Sequence, residues 1–393
     1  MTRRTIFWTI AGITAVSAIL SYRTNSDWDY PEDAGPAIDA LIHGRIHDFL
    51  AARPLMGPFS LLLRAPFAAL SLIHGDNFFY NDAYRFGVFP CLMVAGLFGL
   101  WLATIAAQRN QPRLVQFALV ALCLVNPVTL RAVEVGHPEE VLGAALAAAA
   151  AVAGLRGRPW IATLLVAAAV ATKQWAVLAV VPVALTLQPR DLRRAAAVAA
   201  GVVAALLVPL LIADAGSLVS TTRHLADIRN SGMLPANVWW PFTAELSGNA
   251  ETPGWLGVIA HPIVVGGGIA IALAYAGRVR QDPMRRALPL LALVLLFRCL
   301  FDPVDTSYYH VPFFMALVAA DALSGTLTAS LVATAFLWLT PKVGTSADTL
   351  NAFYLAWALP FAGYLAGRAY GTSWEDVRGV LRSRAARGRA AAP

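Results

Sequence analysis

Charge and cysteine are what this 393-residue sequence has least of. Only 13% of its residues are charged, and its three cysteines, Cys91, Cys123 and Cys299, fall in or beside apolar segments with no C-x-x-C spacing. An odd, scattered set of thiols argues against a disulfide framework and against a zinc site. Also missing are G-x-x-x-x-G-K-[ST], H-E-x-x-H and G-x-S-x-G, so a nucleotide hydrolase, a zincin and an alpha/beta-hydrolase have no local support. No tandem repeat is evident.

Apolar residues fill the space instead. The chain is 58% hydrophobic with a mean hydropathy of +0.61, in runs that recur from end to end. That composition describes an all-α, polytopic membrane protein. At about 20 apolar residues per crossing, about twelve spans are expected. They fall near 5–22, 86–107, 114–131, 139–155, 159–172, 174–188, 195–213, 255–276, 287–301, 311–323, 326–340 and 350–367. These form one domain, 1–367, followed by a basic tail, 368–393. Arg3 and Arg4 ahead of the first run, and AVSA at 15–18, resemble a signal peptide, but the many later spans favour an uncleaved first helix.

The formal charge of +7 would suggest nucleic acid in a soluble protein. Here the arginines occupy short breaks between spans, at 109–113, 156–158, 188–194 and 278–286, and so report topology rather than a nucleic-acid partner. With both termini cytoplasmic, all these breaks fall on the cytoplasmic side. Four polar segments then gather on the opposite face: the loop 23–85, the turn 134–140, the loop 213–254 and the segment 298–310. Lys173 joins them at the tip of a short helix pair. In the first loop, 38–49 and 59–73 suit helices lying in the membrane interface. The alanine-rich run at 143–154 has small residues at intervals of four, which permits close helix approach.

The first loop concentrates carboxylates, with Asp27, Asp29 and Asp33 interleaved by Trp28, Tyr30 and Pro31. A solvated acidic loop is one reading; aromatic faces beside carboxylates also suit sugar binding. EVGHPEE supplies His137, Glu139 and Glu140, either as a helix start favoured by the dipole or as residues that contact the acceptor or support those that do. Lys173, in an apolar hairpin, needs a carboxylate partner or an anionic ligand such as phosphate. Arg298, Tyr309 and His310 can bracket a phosphate, with snorkelling as the alternative for the arginine. Trp239 and Trp240 read as interfacial anchors or as a binding wall. No residue pattern compels a metal or other cofactor.

The order of DWDYPEDAGPAIDALIHG, RPLMGPFS, GHPEE, ATKQW and DPVDTSYYHVP resembles the GT-C superfamily of integral-membrane glycosyltransferases. It is most similar to the actinobacterial family 87 group, which includes phosphatidylinositol mannoside mannosyltransferases. The resemblance implies inverting transfer of a sugar, mannose or arabinose, from a polyprenyl-phosphate donor to an envelope glycolipid or glycan. It places the reaction on the extracytoplasmic face of the plasma membrane. A loop aspartate would serve as general base, Asp29 first for its spacing from Gly44, then Asp33, with Asp27 also in contention. Lys173, Arg298, His310 and Tyr309 would hold the donor phosphate, and His137, Glu139, Glu140, Trp239 and Trp240 would serve the acceptor or support the site. Two competitors remain: a secondary transporter or flippase of an anionic or glycolipid substrate, and an inactive transferase-like scaffold. A transferase is expected to gather Asp29, Lys173 and His310 about one cavity, and a scaffold to scatter them or pair them with each other.

Overall fold

The computed structural model describes residues 1–25, 29–52, 57–74, 79–213, 216, 232–242 and 252–371. Among these the fold is helical without a strand: α1 (Arg3–Arg23), α2 (Tyr30–Asp33), α3 (Gly35–Ile42), α4 (Ile46–Ala51), α5 (Pro58–Ala68), α6 (Phe79–Gln108), α7 (Arg113–Leu124), α8 (Pro127–Glu134) and α9 (Pro138–Leu155) come first. They are followed by α10 (Pro159–Val170), α11 (Val180–Ala184), α12 (Pro189–Ala213), α13 (Gly254–Ala274), α14 (Ala276–Gln281), α15 (Pro283–Phe301), α16 (Val311–Ser324), α17 (Thr328–Val343) and α18 (Ala347–Tyr370). Short 3-10 segments lie at Ala69–His74, Gln174–Ala179 and Ser307–His310.

A helix or helix pair occupies each of the twelve expected spans. Six stretches among the described residues are long and apolar enough to cross a membrane: α1, residues 82–108 of α6, α7 with α8, α9, α12 and α13. α10 has only 12 residues, about 18 Å at 1.5 Å per residue, well under a hydrocarbon core of about 30 Å.

The bundle is built around α9, in which every residue from Pro138 to Gly154 is buried. Alanine dominates this helix, so α6, α10, α15 and α16 pack against it on several sides. Its C-terminal Gly154 sits against the Thr186 side chain, where a Cβ would approach Oγ1 to 1.8 Å. Large apolar side chains that elsewhere would seek a core instead face outward on α1 (Phe7, Trp8), α12 (Leu211, Ile212) and α13 (Trp255, Val258). An apolar exterior around a packed interior is what a lipid solvent selects.

Helices alternate in direction, so the chain ends of α1, α8, α10 and α15 and the starts of α9 and α16 share one end of the bundle. Segments expected to lie in the interface form α3, α4 and α5 at this end, with Ile38 and Leu61 packed into the core. The arginine-bearing turns, Arg109 beside α7 and Arg156 and Arg158 beside α10, lie at the other end.

Candidate active site

Glu139 and Glu140 open α9 behind Pro138, where the helix dipole favours negative charge. Neither has any exposed surface. Two carboxylates buried in an apolar bundle are costly unless cations meet them. Lys173 Nζ donates to Glu139 Oε1 at 3.0 Å and lies 3.7 Å from Glu140 Oε1. Arg64, itself wholly buried, reaches Glu139 Oε2 from Nη1 at 3.5 Å, and its guanidinium lies 5.5 Å from the Tyr30 ring centre. Arg298 Nη1 stands 3.9 Å from Glu140 Oε2, with its guanidinium 4.2 Å from the Tyr309 ring and 5.5 Å from that of Trp175.

His137 links this buried centre to the acidic loop. Its Nδ1 lies 2.8 Å from Glu139 Oε1 and its Nε2 2.9 Å from Asp29 Oδ2, while the ring stacks on Tyr308 at 4.7 Å. Two carboxylates on two ring nitrogens both call for an N–H donor, so the ring is an imidazolium. Burial alone would lower its pKa, but the hydrogen bonds to Asp29 and Glu139 outweigh it and raise the value to about 9. Asp29 differs from the glutamates in access: 49% of its side chain is exposed, against 0% for Glu139. Asp33, on α2, lies near enough to feel His137, Lys173 and Glu139. Burial raises its pKa by more than the two cations lower it.

Local backbone contacts hold these pieces in register. The tip of the hairpin between α10 and Gln174 accepts two hydrogen bonds from the start of α5, Gly57 N to Thr172 O at 2.9 Å and Phe59 N to Ala171 O at 3.0 Å. A Cβ on Gly57 would stand 2.0 Å from the Ala171 oxygen, so only glycine allows this approach. Arg64, on α5, and Lys173, on the hairpin, then meet different oxygens of Glu139, Oε2 and Oε1.

Of the residues singled out in the sequence, the structure thus joins Asp29, His137, Glu139, Glu140, Lys173, Arg298 and, through its ring, Tyr309. His310 sits apart from Glu139, buried between the Tyr354 hydroxyl, 3.1 Å from Nε2, and the Ser307 carbonyl, 3.3 Å from Nδ1. Trp239 and Trp240 belong to another knot. Their indole nitrogens donate to Phe301 O at 2.8 Å and to Asp348 Oδ1 at 2.7 Å. Asn237 Oδ1 accepts from both of their backbone N–H groups. Asp27 lies outside the described residues.

Residues 55–303, more than half of the chain, match glycosyltransferase family 87. The chain belongs to that family. No curated protein matches it. For this membrane glycosyltransferase the matched stretch contains Arg64, His137, Glu139, Glu140, Lys173 and Arg298, whereas Asp29 and Asp33 precede it and Tyr309 and His310 follow it.

Arg64 is the member of the centre that sequence reasoning passed over. Its signal is an arginine inside the apolar run FSLLLRAPF, where a cation needs a partner. Such a residue needs a carboxylate, and Glu139 is that carboxylate.

Proposed function

We propose that this glycosyltransferase moves a sugar, mannose or arabinose, from a polyprenyl-phosphate donor to an envelope glycolipid or glycan. The reaction takes place on the extracytoplasmic face, with inversion. The observation that carries this reading is a half-exposed Asp29 anchored through His137 to a fully buried Glu139, with cations gathered behind it.

The acceptor oxygen attacks the anomeric carbon as the bond from that carbon to the phosphate oxygen breaks. The electron pair leaves with the polyprenyl phosphate, and Asp29 takes the acceptor's proton. His137 fixes the orientation of the base and cannot compete for the proton, because its own nitrogens are both occupied as donors. Around Glu139, Glu140 and Asp29 stand four cationic side chains, Arg64, Lys173, Arg298 and His137. Lys173, with 12% of its side chain exposed, and Arg298 are the two placed to stabilise charge growing on the leaving phosphate. Glu139 and Glu140 act as supports, since neither can touch a substrate.

Lys173 is paired with carboxylates, and this observation favours the inactive-scaffold reading. Transfer from radiolabelled polyprenyl-phosphate sugars to an extract of envelope lipids and glycans, by the purified protein in detergent, separates the two. Wild type is expected to transfer, and Asp29→Asn to lose about 10²–10⁴-fold in rate. Surviving transfer moves the base to Asp33 or Asp27. No transfer by folded wild type with any donor ends the enzymatic reading in favour of the scaffold or a transporter.

A further inference from the structure

A second group of ionisable side chains takes no part in the transfer chemistry. The Sγ of Cys299, a carboxylate oxygen of Asp305 and a ring nitrogen of His310 all lie within 4.8 Å of one another. All three residues are at most 2% exposed. Among the described residues no other trio of histidine, cysteine and acidic side chains comes together in this way.

Asp305 shares with Glu140 the lack of a hydrogen bond at both carboxylate oxygens, but Glu140 has Lys173 and Arg298 within 4.0 Å, whereas among the described residues Asp305 faces only His310. Neither of its carboxylate oxygens has a hydrogen-bond partner, although the residue is 1% exposed. A buried carboxylate without donors bears its full desolvation penalty, which a cation would remove. Arg298, in the last turn of α15, points its guanidinium to Glu140 and to the Tyr309 carbonyl. His310 is presented as metal-bound imidazoles are. Its Nδ1, 3.3 Å from the Ser307 carbonyl, keeps the proton, which leaves the Nε2 lone pair 3.7 Å from Asp305 Oδ2.

We propose that Cys299, Asp305 and His310 bind one divalent transition-metal ion of the zinc class, with the Tyr354 hydroxyl or a water in the fourth position. Thiolate, carboxylate and imidazole are the donor set zinc prefers. A dication facing one thiolate and one carboxylate gives a neutral site, as burial requires. Ligand atoms on a tetrahedral zinc stand about 3.3–3.8 Å apart, so side-chain adjustments of about 1 Å close the group. Binding releases the thiol proton of Cys299 to solvent, and Sγ exchanges its 3.3 Å contact with the Tyr309 carbonyl for the metal bond. The ion ties the end of α15 to the start of α16 and so stiffens the turn that carries Tyr308 and Tyr309. It also commits His310 to the metal, which leaves the donor phosphate to Lys173 and Arg298. The site stands independently of the transferase reading.

The test uses the full chain, purified in detergent through a tag without histidine, with metal content measured by mass spectrometry and Co²⁺ added to chelator-treated protein. About one zinc per chain and a thiolate-to-cobalt charge-transfer band are expected. The band is expected to vanish in Cys299→Ser and to persist in Cys91→Ser and Cys123→Ser. Affinity for Zn²⁺ is expected to fall at least tenfold in Asp305→Asn. Wild type that is folded yet holds less than about a tenth of an equivalent and gives no cobalt band overturns the proposal, whatever the variants do. A band that survives in Cys299→Ser overturns it as well.

Discussion

Two buried carboxylates at the same end of the bundle, Glu139 and Asp305, are met in opposite ways. Glu139 is wholly buried and meets His137, Lys173 and Arg64. Asp305 is almost as buried, and both its oxygens lack a hydrogen-bond partner. The difference shows that burial alone does not define a supporting carboxylate: one is charge-matched by side chains the fold supplies, the other is shaped for a ligand.

The largest expected effect breaks this contrast directly. Glu139→Gln leaves three cations around a neutral amide and is expected to cost about 3–5 kcal/mol, seen as a lowered unfolding midpoint in detergent. Asp305→Asn in chelator-treated protein is expected to be neutral or stabilising, because an amide of the same shape replaces a buried carboxyl whose oxygens accept no hydrogen bond. Equal losses in both variants would show that the clusters are alike.

Protonation separates them next. His137 has a folded pKa raised to about 9 by Asp29 and Glu139 against the pull of burial, above its ordinary 6.5. A raised cationic pKa contributes stability that is fully present below pH 6.5 and is lost as pH rises through about 9. With a span of 2.5 units, that contribution is about 3 kcal/mol. The groups facing the ring are Asp29, Glu139, Lys173, Asp33 and Tyr308, of which Lys173 keeps its charge partner throughout. Unfolding midpoints measured from pH 6 to 10 are expected to fall in wild type relative to His137→Gln. Parallel curves would remove the imidazolium from the argument.

Much of this architecture was legible in the sequence, for stated reasons. That the chain is helical and polytopic follows from the length of apolar runs, although only six stretches among the described residues reach spanning length, and the grouping of the acidic loop, GHPEE and Lys173 follows from alternation of helix direction. What pairwise charge reasoning did not give was Glu139 as the shared partner of Lys173, His137 and Arg64. Three residues at 64, 137 and 173 converge on one carboxylate only through tertiary packing. Cys299, Asp305 and His310 were hidden for a related reason. Their spacing matches no local zinc pattern, because the turn at 302–306 and the single 3-10 turn at Ser307–His310 are what bring them together. The sequence neighbourhood of His310 groups it with the phosphate-binding residues, and only tertiary packing brings its ring to Tyr354 and Asp305.

A smaller effect probes how the Glu139 cluster is assembled. Gly57→Ala drives a methyl group into the Ala171 carbonyl, which must move and take the Lys173 hairpin with it. The expected cost is about 1–3 kcal/mol in stability. Transfer is expected to fall with it, because Lys173 shifts relative to Glu139, while metal content at Cys299 stays unchanged. Loss of metal along with transfer would show that the two clusters are mechanically one.

The smallest expected effect concerns the tryptophans, which lie in a knot apart from the Glu139 cluster. Trp240 Nε1 donates to Asp348, and its backbone is held by Asn237, which in turn accepts Asn351 Nδ2 at its carbonyl, 2.7 Å away. With the Trp239 bond to Phe301, these bonds tie the described part of the long loop to α15 and α18, so the indole serves as a fastening. Trp240→Phe keeps the ring and removes one hydrogen bond, which is worth about 0.5–1.5 kcal/mol. A lowered unfolding midpoint with unaltered kcat/KM for acceptor is therefore expected. If Trp240 instead walls an acceptor site, KM for acceptor rises while the midpoint hardly moves, because an indole that binds sugar is missed in catalysis before it is missed in folding.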